Sequence, residues 1–185
     1  MDVMPFDELN KFKTALPQFF DEQGRIKSRE ACDSLLDMLE DLFFLSYATG
    51  VESTNLSLAS NIEPTLNEML DVVDKKIAGK TWRDRVEEYY DNGGTIADIE
   101  RIAETESHRI ANTSALDTAR HGGATKKTWV TMLDDRVRET HDYLEGMTVG
   151  IDDDFYTYDG DHAPAPSLFQ LASNNVNCRC ELIFS

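Results

Sequence analysis

The hydrophobic pattern of this chain changes period at His121-Gly122-Gly123. Before that point apolar residues recur every three or four positions, the spacing of one helix face. After it come short runs of β-branched and aromatic residues, the composition of strands. A chain of 185 residues that switches in this way puts helices first and a small antiparallel sheet last. That is the α+β class: an N-terminal helical region, then a small mixed C-terminal domain.

The helical part is punctuated by recognisable starts and stops. Phe6, Leu9, Phe12 and Leu16 share one face, and Pro17 ends the run. Asp21-Glu22-Gln23-Gly24 reads as a turn. Ser28 is a good N-cap for a long helix with Ala31, Leu35, Met38, Leu42 and Leu45 on its apolar face, widened by Leu39, Phe43 and Phe44. Gly50 is expected to stop it. A further helix is expected after Asn61, with Pro64 in its first turn, a stripe from Ile62 to Ile77, and Gly79 as its C-cap. Thr81 with Asp84, and Thr95 with Asp98, are capping-box pairs that open two more. Asp91-Asn92-Gly93-Gly94 separates these, and the second runs to about Ala119. A soft boundary near Ala78–Lys80 divides a helical arm, residues 1–79, from a domain over 80–185.

Beyond the break, Lys127–Met132, Met147–Val149, Phe155–Tyr158 and Cys180–Phe184 are the strand candidates. Residues 134–144 suit a short helix, Asp159-Gly160 a turn, and Ala163-Pro164-Ala165-Pro166 an extended segment.

Composition sets limits on partners. The chain is 41% hydrophobic with a net charge of −17. So acidic a surface repels phosphate backbones, which disfavours nucleic-acid binding over the surface as a whole. No stretch is long and apolar enough to span a bilayer, and Met1–Pro5 shows no start of a signal peptide. Three cysteines, two of them one residue apart, do not make a secreted disulfide framework. Cys32, inside a helical pattern, reads as a buried small hydrophobe.

The chemistry-bearing residues gather in the last third. Cys178 and Cys180 are two apart, so on a strand both face one side. With His141 they supply three of four tetrahedral zinc ligands, the fourth being sought at His162, Asp134 or Asp152. Three other readings stay open. The residues can be plain core packing. The cysteines can form a strained disulfide. One can be a nucleophile, with His141 as base and Arg138 and Arg179 lowering its pKa. Arg136 and Arg138 lie in an acidic tract and do not share a helix face, so one is expected to turn inward toward Asp152–Asp154 or Glu106. Glu106, Arg109 and Asn112 share one side of a helix and are candidates to order the loop bearing His141. Trp129 reads as core, and Asp152-Asp153-Asp154 as a solvated turn.

These residues carry a resemblance in their order. Glu106, Arg109 and Asn112, then Trp129, then Asp134-x-Arg136-Val137-Arg138-x-x-His141, Gly146, Phe155 and Asn177-Cys178-Arg179-Cys180 resemble the phage Mu F-like head morphogenesis family from about Gly94 to Ser185. Family members often carry a Pro-Gly-Asp-like turn before the final motif, where this chain has Ala163–Ser167. The resemblance implies a minor head protein of a tailed phage or prophage, located in the virion. It implies a structural role at the portal or inner capsid during head assembly and DNA packaging, with the portal protein or major capsid protein as partner. The alternatives are a phage-encoded enzyme or toxin-type domain using the Cys/His site, and a zinc-stabilised adaptor. Relatives of the family are sometimes joined to toxin modules. The short run of chain after Cys180 argues against a fused effector and leans the reading away from an enzyme.

Overall fold

The computed structural model describes residues 6–54 and 65–185. Expectations that fall on Ile62 and Pro64 lie outside the described residues. Helix α1 spans Phe6–Ala15 and passes into a 3-10 turn over Leu16–Phe19, where Pro17 is tolerated in the first turn. A bridge between Phe20 and Ile26 closes the turn that follows. Helix α2, Arg29–Ser53, starts where Ser28 accepts a hydrogen bond from the Ala31 N–H.

Gly50 does not stop α2. It lies inside the helix, and a Cβ there would sit 2.1 Å from the Ser114 Oγ and 2.2 Å from the Ala111 carbonyl oxygen. The glycine is present because another helix crosses there. Leu45, expected on the apolar face, is exposed, while Phe43 and Tyr47 turn inward. Helix α3, Leu66–Val73, is opened by a capping box between Thr65 and Glu68. It ends earlier than expected: Ile77 bridges Lys80, and Gly79 lies in that turn.

Helix α4, Trp82–Asn92, and helix α5, Ile96–His121, begin at the expected capping residues. The Asp84 carboxylate accepts from Thr81, and that of Asp98 from Thr95. α5 is the centre of the molecule. α2 lies along one side of it, with the Ser114 hydroxyl donating to the Tyr47 carbonyl at 3.0 Å. An apolar cluster joins Leu16, Leu35, Leu39, Phe43, Val73, Trp82, Ile99 and Ile110, and so runs across residues 79–80. Trp82 meets Phe43 edge-on at 5.0 Å and gives its indole N–H to Asp74. Each fully buried side chain of this size contributes roughly 1.5–3 kcal/mol.

On its other side α5 meets a sheet of order β2-β1-β5, antiparallel throughout. Its strands are β1 (Lys126–Val130), β2 (Thr148–Gly150) and β5 (Glu181–Phe184). β1 is central and pairs Thr128 with Thr148 and Trp129 with Leu182. A separate two-residue hairpin pairs β3 (Phe155–Tyr156) with β4 (His162–Ala163). β3 is shorter than expected because Thr157 turns to bond the Asp161 carbonyl with both its N–H and its hydroxyl. Helix α6 covers only Glu139–Asp142 of the expected 134–144. The Asp134 carboxylate accepts the Arg136 N–H at 3.1 Å, a local turn that competes with helix. A further short helix, α7 (Ala172–Asn175), was not expected from the sequence. The architecture is α+β, helices first and small antiparallel sheets after. Among the described residues no helix is long and apolar enough to cross a membrane.

Candidate functional site

His141, on α6, comes together with Cys178 and Cys180, on the segment that enters β5. The ligand atoms of the three lie within 4.8 Å of one another, and all three residues are buried. The His141 Nδ1 is 3.5 Å from the Cys178 Sγ and 3.4 Å from the Cys180 Sγ. All three cysteines are free.

Local conformation explains the convergence. Asn177 adopts a left-handed φ of 55°, which Asn tolerates better than most side chains. That residue turns the chain from α7 so that Cys178 and Cys180 both face inward. Gly146, at φ 71°, turns the chain from α6 into β2, and its N–H bonds the Trp129 carbonyl at 2.9 Å. Trp129 is fully buried and meets His141 edge-on at 5.3 Å, while Phe169 stacks on the same imidazole at 5.4 Å. The ring is therefore oriented by packing. Its Nε2 is buried with no hydrogen-bond partner among the described residues.

Electrostatics separate the two sulfurs. Burial is the largest influence on Cys178 and opposes its ionisation. Hydrogen bonds with Cys180 and His141 outweigh it and hold the Cys178 thiol well below the ordinary value. Cys180 is driven up, first by its hydrogen bond to Cys178 and then by burial. The pair thus favours a single negative charge. Burial also raises Cys32, to about 11, the behaviour of an inert core thiol.

The fourth-ligand candidates are engaged elsewhere. The Asp134 carboxylate takes a two-pronged contact from Arg179 at 2.8 and 2.6 Å, which holds it at about 2. His162 bonds Asp154 through Nδ1 at 2.7 Å and Gln170 through Nε2 at 2.8 Å. Asp152 pairs with Arg120. Neither Arg136 nor Arg138 reaches Asp152–Asp154 or Glu106. Arg136 is exposed beside Asp134. Arg138 donates instead to the Asn174 and Val176 carbonyls, at 3.1 and 2.6 Å, and so fixes the segment leading into Cys178.

The Glu106, Arg109 and Asn112 row does not touch the loop bearing His141. Arg109 pairs with Glu106 at 2.6 Å and reaches the Val72 and Val73 carbonyls at the end of α3. Asn112 does reach the site, donating to the Cys180 carbonyl at 3.0 Å.

Two features were missed from the sequence. One is Phe169 against the His141 ring. The other is Asp161, whose buried carboxylate accepts from the backbone of Gln170 and Leu171 and from the Asn174 amide. The Asp159-Gly160 turn signal was the only hint that the chain doubles back there.

The arrangement is that of a buried three-donor cluster, which can hold an ion or serve as packed core. Both cysteines are only 2–3% exposed. The cavity beside them, bordered by Met132, Val137 and Arg138, measures about 10 Å³, the space of roughly one water. A larger cavity of about 460 Å³ adjoins it at Arg136, Arg138, Asn177 and Arg179, without either cysteine in its lining.

A family model described as Phage Mu protein F like protein matches residues 57–183. The NAD(+)--arginine ADP-ribosyltransferase EFV of Enterococcus faecalis is 38% identical over 87 residues, 45% of this chain and 18% of that protein. Minor head protein GP7 of Bacillus phage SPP1 is 30% identical over 93 residues, 49% of this chain and 30% of that protein. The chain thus spans less than a third of the length of these two curated relatives. No solved structure matches it.

Proposed function

The chain belongs to the phage Mu protein F like family, and on that premise we propose that it is a minor head protein of a tailed phage or prophage. It acts structurally, at the portal or inner capsid, during head assembly and DNA packaging, and resides in the virion. The carrying observation is the likeness to minor head protein GP7, 30% identical over 93 residues. The closed geometry of the site supports a structural rather than a turnover role. A charge of −17 supports a protein partner, the portal or major capsid protein, over direct wrapping of DNA. The higher identity to the transferase occupies 18% of that protein. It fits a module shared between a head protein and a larger enzyme, so no transferase activity is carried over.

Mass spectrometry of gradient-purified particles and of procapsids tests the reading. The chain is expected in both, at low copy beside the major capsid protein. Its absence from both overturns the proposal.

A further inference from the structure

Two sulfurs converge on one ring nitrogen. A neutral imidazole offers a single lone pair at Nδ1. That lone pair can accept one S–H, yet both the Cys178 and the Cys180 Sγ stand at 3.5 and 3.4 Å from it. One cation bound by all three donors accounts for both approaches at once. The distances agree. Zinc–sulfur bonds of ~2.3 Å and zinc–nitrogen bonds of ~2.0–2.1 Å, at a tetrahedral angle, put S and N about 3.5 Å apart.

We propose that His141 Nδ1, Cys178 Sγ and Cys180 Sγ bind one zinc ion, with a single water at the fourth corner. The small cavity that borders all three residues is where that water sits. Asp134 and His162 are not the fourth ligand, because Arg179, Asp154 and Gln170 already hold them. Both thiols lose their protons to solvent as the ion enters. Zn²⁺, two thiolates and a neutral imidazole then sum to zero charge, which a buried site tolerates. Thiolate and imidazole donors together select zinc over magnesium or calcium. The ion ties α6 to the start of β5, across 37 and 39 residues of chain. It is a clamp within the head-protein reading, and its presence is independent of that reading.

The full chain, purified without added metal, is expected to carry about one zinc per chain by elemental analysis. Cys178→Ser and His141→Ala should lower this to below about a tenth, and a chelator should lower the melting temperature of the wild type. Metal-free protein whose melting responds to neither zinc nor chelator overturns the proposal. Should the variants fail to fold, cobalt-loaded wild type decides. Thiolate-to-cobalt charge-transfer bands with intense tetrahedral d–d absorption support the site, and a folded protein lacking both overturns it. Particle incorporation is scored separately, so loss of the zinc claim leaves the head-protein proposal standing or falling by itself.

Discussion

The side-chain amide of Asn112, in the middle of α5, donates to the backbone carbonyl of Cys180 at 3.0 Å, from 68 residues away in sequence. The same amide also donates to the His108 carbonyl one turn earlier on its own helix. This bond joins the helical core directly to the Cys/His cluster. Asn112→Ala leaves the buried Cys180 carbonyl without that donor, a loss of about 1–3 kcal/mol. Urea denaturation should show a lower midpoint at unchanged slope. An unchanged midpoint would mean the bond is not formed in solution.

At Gly50 two effects oppose each other. Alanine is the better helix former by about 1 kcal/mol. Its Cβ would lie 2.2 Å from the Ala111 carbonyl oxygen, which is backbone and cannot rotate away as the Ser114 hydroxyl can. Forcing α2 and α5 apart costs roughly 1–3 kcal/mol or more. Gly50→Ala is therefore expected to destabilise in chemical denaturation. A stabilised variant would refute the close crossing of these helices.

Glu106 and Arg109 form an ion pair in which both side chains are nearly fully buried. Removing one member of such a pair costs about 3–5 kcal/mol, because the other charge stays buried. Glu106 also pairs with Arg85 at 2.5 Å, so Arg109→Met leaves Glu106 one cationic partner but abandons the Val72 and Val73 carbonyls. Glu106→Gln leaves Arg109 those two acceptors. The double variant should lose less than the sum of the singles, with a coupling of roughly 1–3 kcal/mol in a double-mutant cycle. Additive losses would contradict a direct pair.

What the sequence reveals depends on whether its cause is local. Ser28, Thr81 with Asp84, and Thr95 with Asp98 cap helices through contacts three residues long, so the starts of α2, α4 and α5 are legible. Gly50 is misleading because its reason lies on another helix. The inward pairing of Cys178 and Cys180 agrees with their spacing of two, but both precede β5 and are turned inward by the left-handed Asn177 rather than by strand alternation; the family motif joins them to His141. Nothing local says that Asp154 and Gln170 will occupy His162, or that Arg138 will bind the carbonyls before Cys178. Those contacts exist only once β3, β4 and α7 have folded back. Strands as short as β4 carry too few residues to show an alternating pattern.

Lys127, on the central strand β1, is fully buried, and its ammonium finds no hydrogen-bond acceptor among the described residues. The Phe155 ring offers it a cation–π contact, 5.6 Å from Nζ to the centroid. A cation–π contact contributes about 0.5–2 kcal/mol, less than the cost of burying an unpaired ammonium. Burial accordingly lowers the Lys127 pKa to about 8, with the Arg120 charge adding to the effect and the carboxylates of Asp152–Asp154 opposing it. The sign of the pH dependence follows. Below about 8 the lysine is protonated in both the folded and the unfolded chain, and the folded state bears the full penalty. Between about 8 and the ordinary lysine value of 10.5 the unfolded chain still holds the proton while the folded chain has released it. Stability from this group therefore rises with pH across that window. Lys127→Met keeps the length of the side chain and removes the charge. It is expected to raise stability at pH 7 by roughly 1–3 kcal/mol. Its advantage over wild type should shrink as pH climbs from about 8 to above 10. Paired urea titrations at pH 7, 9 and 10.5 measure both effects. A destabilised Lys127→Met at pH 7 would show that the ammonium has a partner in solution, and an advantage constant with pH would show that charge is not the cause.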